Sequence, residues 1–260
     1  MVSFEVDFNF LYTLGIDDAY INRKSATNKP IYHATQQSQT TMFRITPLFG
    51  VYANESLLIR PYAKFGIIVP LAGDTKVNLS IEDNSGISFN DLMPVIDPVT
   101  LLQTQLLASS LGLSNISVPT KTDIKAVTSG SFSLGFLARF GAEYKFKNVL
   151  DGRLLLFAEM EMQMLTVKAH QTVIKEFNSS VNDATFQSLA EAADIKTSFG
   201  LDDIPEILKT TDYFNEIIET SNSSYDVSNP NYDRDKAFEQ LTFRDNYNAF
   251  GCLICLKFGF

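Results

Sequence analysis

The chain has no tryptophan, only two cysteines and only two histidines. It therefore offers little for a metal centre, and it contains no H-E-x-x-H, no G-x-S-x-G and no glycine-rich phosphate loop. No catalytic residue, cofactor or metal is expected. Bases are outnumbered: 21 Lys and Arg stand against 30 Asp and Glu, a net charge of −9. That balance argues against nucleic acid as a partner, because neutralising phosphates takes clustered cations. Nowhere is there an apolar run of the roughly 18 residues that a membrane helix needs. This absence does not exclude crossing by strands, in which only every second residue faces lipid. After Met1 the chain enters Val2-Ser3-Phe4-Glu5 directly, without the basic and apolar stretches of a signal peptide.

Cys252 and Cys255 form a C-x-x-C spacing, which elsewhere signals redox or metal chemistry. Here they lie in an alternating segment. Three steps along a strand separate them by roughly 10 Å on opposite faces, too far for a disulfide. They read as small apolar fillers.

What the chain has is alternation. Six segments keep apolar residues on one parity: Phe4 to Tyr12, Phe43 to Val51, Leu57 to Val69, Phe132 to Phe146, Leu154 to Met164, and Phe250 to Phe260. Each is long enough for a membrane strand of about 9–11 residues. Phe136, Phe140, Met160, Met162, Ile254 and Leu256 fall on the apolar parity and are expected to face lipid. The opposite parity carries Arg44, Arg60, Lys64, Arg139 and Lys145 against Glu5, Asp7, Glu143, Glu159 and Glu161. In a closed sheet these charges point inward, where they must be paired, and a satisfied ionic plug is expected. Aromatics tend to begin and end the apolar face, as Phe4 and Tyr12 or Phe132 and Phe146 do, which matches girdles at two lipid interfaces.

The connections also alternate. Short turns join segments two and three (53–56) and four and five (147–152), while long links of about 14–40, 70–128 and 168–242 fall on the other side. Periplasmic turns with extracellular loops give this layout. Within the links, 75–89 reads as a short hairpin turning at Asp83-Asn84-Ser85-Gly86. Residues 98–113, 183–195 and 204–218 read as helices. From Lys175 to Glu239 there are 14 acids and 5 bases, a solvated acidic cap. Calcium binding by Asp226, Asp233 and Asp235 matches no loop motif. His33 and His170 fall on the lipid-facing parity, away from the carboxylates.

The final strand, with Phe250, Leu256, Phe258 and terminal Phe260, resembles the assembly signal of the small up-and-down outer-membrane barrels, the OmpA/OmpX-like family in the broad sense. That resemblance covers the strands and implies an all-β antiparallel up-and-down transmembrane barrel, residues 1–260 as one domain, in the bacterial outer membrane. It also implies outer-membrane lipids and the barrel-assembly machinery as partners. Two features depart from it. The family's smallest barrels have eight strands against six here, so one further hairpin ahead of Val2 is expected. Pro47 and Pro61 lie within strands, where bulges are expected to host them. Three functions remain open: a non-enzymatic barrel acting through its extracellular loops on an unidentified ligand or partner, a transport barrel for small solutes or lipids, and a soluble lipocalin-like binder of apolar ligands.

Overall fold

A computed structural model describes residues 1–13, 15–24, 30–54, 56–110, 118–146 and 154–258. Along the chain run β1 (Val2–Tyr12), β2 (Ile16–Lys24), β3 (Pro30–Tyr52), β4 (Ile59–Asp83), α1 (Ile87–Ile96), α2 (Pro98–Ser110), β5 (Thr120–Gly130), β6 (Gly135–Lys145), β7 (Leu154–Met164) and β8 (Thr166–Val181). They are followed by α3 (Ala184–Ala192), β9 (Ser198–Gly200), α4 (Glu206–Lys209), β10 (Thr210–Phe214), β11 (Phe238–Leu241), β12 (Arg244–Asn246) and β13 (Ala249–Phe258). The strands form one 13-stranded sheet.

The sheet has two halves. In the half that carries Met1, the neighbours run β1-β3-β4-β6-β7-β13, each pair antiparallel and the six in chain order, with the remaining strands inserted between them in sequence. These are the six alternating segments, except that β6 starts at Gly135, leaving Phe132 and Leu134 just ahead of it. Among the described residues the sheet does not close: β1 pairs only with β3, and β13 only with β7. The all-β reading is thus seen as a 13-stranded sheet whose two edges stay unpaired among the described residues. Nor is the pairing wholly antiparallel, since β10 and β11 run parallel.

The other half is built where the sequence suggests loops. β3 and β4 continue into it for 23 and 25 residues in all, paired from Tyr52↔Tyr62 to Tyr32↔Asp83. β2 pairs on one flank, and β5, β8 and β10 on the other. The links 14–40, 70–128 and 168–242 therefore each contribute strands to the sheet. The expected hairpin at 75–89 is corrected: Val77, Leu79 and Ile81 belong to β4, whose partners are β3 and β5. Fully buried Asp83 accepts from the Ser85 N–H at 2.7 Å and from its hydroxyl. Gly86, at φ 74°, then starts α1 instead of a returning strand. α2 and α3 follow the sequence reading. The Asp97 carboxylate takes the Thr100 hydroxyl at 2.8 Å ahead of Pro98, and Asp183 accepts from Phe186 N–H at 2.7 Å. The helix expected over 204–218 shrinks to the four residues of α4, because 210–214 becomes β10, which pairs with β8 through 210–212 and with β11 through 211–214. A core of Met93, Ile96, Val118, Phe177, Val181, Phe199 and Ile204 holds these pieces together.

The prolines need no bulge. The Tyr52 N–H bonds the Met1 carbonyl, so by alternation Val6↔Pro47 is a pair without hydrogen bonds and the Pro47 nitrogen faces β4. The β3–β4 ladder lapses there, between Ile45↔Val69 and Leu48↔Gly66, without changing register. The Pro61 nitrogen faces Ala53 at the hairpin's end, where the Ala53 N–H still bonds the Pro61 carbonyl at 2.9 Å. Each proline forfeits one rung at a place where little else depends on it. The single register shift in this ladder lies between Phe43 and Arg44, opposite Ala72 and Pro70.

Candidate functional site: a charged concavity and the cavity above it

In the half bearing Met1, parity sorts side chains between two faces. The outer, convex face is apolar and uncovered: Phe4, Phe8, Phe250 and Ile254 are each 68–76% exposed, and Phe136, Phe140, Met160, Met162 and Leu256 are exposed too. The backbone of Phe258 closes β13, and Phe260 lies outside the described residues. Cys252 and Cys255 are free thiols, and both are exposed.

The inner face holds the ions. Arg60 pairs with Glu143. Lys64 lies 2.9 Å from Glu5 and 4.0 Å from Glu159. Arg139 serves three carboxylates, at 2.6 Å from Asp7, 2.7 Å from Glu161 and 3.5 Å from Glu159. Buried Glu159 also accepts the Tyr62 hydroxyl at 2.9 Å, and Tyr52 stacks on Tyr62 and donates to Glu5 at 2.9 Å. Arg60, Lys64 and Arg139 thus each meet carboxylates on this face, whereas Arg44 and Lys145 form no ion pair among these contacts. The Arg44 Nε and Nη1 are buried without a hydrogen-bond partner, as is the hydroxyl of the neighbouring Thr46, though Glu161 and Asp7 lie within electrostatic reach. Lys145 is exposed at the rim.

Tyr52 and Tyr62 were not legible as site residues, although a signal existed. Glycines share their parity: Gly50, Gly66 and Gly141 leave room for large inward side chains. A Cβ on Gly141 would come within 2.6 Å of both the Tyr62 ring and the Ala158 carbonyl.

Above the ions, Met42, Leu48, Ile68, Leu137 and Leu165, all at most 5% exposed, form an apolar layer across the concavity. Over that layer β4 changes partners. It pairs with β6 through Ile59–Ile68 and with β5 through Asp74–Asp83, leaving 69–73 without a neighbour on that flank. The gap is a cavity of about 340 Å³ whose walls include Thr40, Asp74, Thr75, Thr128, Asp245 and Tyr247. Thr40 and Thr75 share a 2.9 Å hydroxyl contact, Thr128 bonds Thr172 at 2.7 Å, and Asp74 accepts from Thr41 at 2.6 Å. Burial pushes the Asp245 carboxyl above its ordinary value.

The histidines stand apart from this chemistry. His33 meets the Tyr20 ring edge-on at 5.1 Å, and His170 is exposed on β8. Among the described residues no three His, Cys, Asp or Glu side chains are grouped to hold a metal ion. No family model matches the chain, and no curated protein or solved structure proves similar to it.

Proposed function

We propose that this protein is a non-enzymatic bacterial outer-membrane β-barrel that acts through its extracellular lobe as a structural, adhesive or partner-binding protein. The observation that carries the reading is the uncovered apolar face, continuous over six strands, backed by paired ions on the inside. Soluble monomers rarely expose contiguous apolar patches beyond a few hundred Å². Strands of 10 or 11 residues rise about 33–36 Å, enough to cross the apolar zone at the usual tilt. In lipid the β1 and β13 edges demand pairing, since unsatisfied backbone groups there cost several kcal/mol each. Closure of the sheet is therefore part of the proposal. The folded lobe made by the three long links supplies the working surface.

Two other readings lose support. A lipocalin-like binder keeps its apolar face inside, whereas here the concave face carries the ion pairs. A transport barrel needs an open lumen, whereas here paired ions line the concavity and an apolar layer lies across it. Fractionation tests the proposal. The protein should sediment with outer membranes, resist carbonate and high salt, and come out only with detergent, while protease applied to whole cells trims the 168–242 region. Recovery in a soluble fraction would overturn it.

A further inference from the structure

We propose that Lys168 and Arg244 form a binding site for the phosphate headgroup of an anionic membrane lipid, on the outer face of the sheet just above the apolar band. Two neighbouring stretches of chain carry the same gradient of chemistry across this level. From β7 into β8 the outward positions read Met162, Met164, Thr166 and Lys168, while Gln163, Leu165 and Ala169 on the other parity are buried. The chain from β12 into β13 runs alongside in one continuous register, Arg244↔Lys168, Asn246↔Thr166 and Phe250↔Met162. Partners in a ladder point to the same face, so Arg244, Asn246 and Phe250 also face outward. Thr166 and Asn246 bond each other at 2.8 Å. Exposed apolar side chains thus give way to a neutral polar row and then to two cations side by side.

Like charges directly opposite in a ladder destabilise it, and an anion held between them reverses that cost. Neither cation forms an ion pair among the described residues, and Asp245, on the intervening parity, points to the other face. Lys168 gives one hydrogen bond, to the neutral Asn215 amide at 3.0 Å. Two acids share the outer face, and both are engaged: Asp212 accepts from Gln171 at 2.9 Å and Asp74, beyond β5, from Thr41 at 2.6 Å. An ammonium beside a guanidinium fork suits a phosphate, the fork taking two of its oxygens. The rows below make that phosphate part of a lipid. Lys168 lies four residues beyond Met164, about 13 Å along the strand, and long cationic side chains reach to headgroups while their stems lie on apolar surface. Phe132 and Leu134 are exposed beside this rim, where the Ser131 N–H bonds the Lys168 carbonyl at 2.8 Å. An acyl chain under the phosphate would run down Leu134, Met164 and Phe250, whereas a free anion would leave them uncovered.

This inference rests on the membrane reading and names a lipid for one side of the band. The test places the full chain in phosphatidylcholine vesicles with a trace of spin-labelled phosphatidylglycerol or spin-labelled phosphatidylcholine, and reads the fraction of each label that the protein immobilises. Phosphatidylglycerol should be favoured at least about fivefold, the effect of one cation at an anionic headgroup. Lys168→Gln combined with Arg244→Gln should bring the two labels to equality. Arg244→Gln alone removes the like-charge opposition, so it keeps the fold. It should lower the preference severalfold, an independent readout should the Lys168 variant misfold. Lys76→Gln, an exposed cation on the lobe portion of β4, should leave the preference unchanged, and excess inorganic phosphate should displace little of the labelled lipid. Equal immobilisation of both labels, a preference that survives the double substitution, an equal effect of Lys76→Gln, or full displacement by inorganic phosphate would each overturn the proposal and leave the membrane reading standing. Failure of the protein to enter the neutral vesicles would overturn both.

Discussion

The Arg139 guanidinium reaches the Asp7 carboxylate over two intervening strands: Nη1 lies 2.6 Å from Oδ2, although β3 and β4 separate β6 from β1. Strands stand about 4.8 Å apart along a sheet, so in a flat sheet this pair could not meet. The contact requires tight curling with the charged face inside. Arg139 is also the hub for Glu159 and Glu161. Arg139→Ala should therefore destabilise the folded form by about 3–5 kcal/mol, the range for removing one partner of a buried ion pair. Asp7→Ala should cost distinctly less, because Asp7 is the more exposed partner. Urea unfolding followed by the mobility shift of the folded band would measure both.

Gly141 and Tyr62 lie opposite one another in the β4–β6 ladder. Gly141→Ala should cost about 1–3 kcal/mol, as overpacking does. Adding Tyr62→Ala should recover only part of the loss, because the Ala158 carbonyl is equally close to the added methyl. Full recovery would place the whole strain in the tyrosine ring.

Met162, exposed on the convex face two residues before the end of β7, probes the proposed lipid contact. Met162→Arg should cost about 2–4 kcal/mol near a bilayer midplane, read from unfolding in vesicles. A neutral effect would count against lipid exposure.

The six strands in the half bearing Met1 were legible because a single physical demand, apolar outside and charged inside, writes itself as period-two alternation. Where that demand ends, the signal ends. Gln36, Gln37, Ser38, Gln39, Thr40 and Thr41 are polar on both parities, yet they continue β3 through pairs such as Gln37↔Asn78. Their strand character comes from their neighbours and not from their own side chains. The turn at Asp83–Gly86 was legible, but the left-handed glycine that converts the return into a helix was not. The ion pairs follow from parity, whereas the cavity does not. Its walls come from well-separated segments, and the partner switch of β4 leaves no local trace.

Lys196 and Asp203 define a pH-sensitive point in the lobe. The ion pair with Lys196, followed by the Gly200 N–H at 2.7 Å, holds the Asp203 carboxyl below its usual value. A lowered folded value means the contact stabilises fully above the unfolded carboxylate range, about pH 4, and is lost as pH falls through the folded value. Residues 196–209 should gain protease sensitivity below that range, while Asp203→Asn should show the sensitivity at neutral pH and little further change on acidification.

The paired ions and the apolar layer across the concavity bear on conductance. Protein reconstituted in planar bilayers should show little or no steady ion current. A large stable conductance would revive the transport reading.

The continuous β3–β4 hairpin also sets an order of folding. Only residues 53–58 separate its strands, so its loop-closure entropy is low, and local contacts of this kind form fastest. Its two flanks then serve as the template for everything else, with β1 and β6 joining in one half and β2 and β5 in the other. A substitution that slows zipping of the hairpin, such as a second proline beside Pro47, should delay both halves by the same factor, whereas one in β8 should retard the lobe alone.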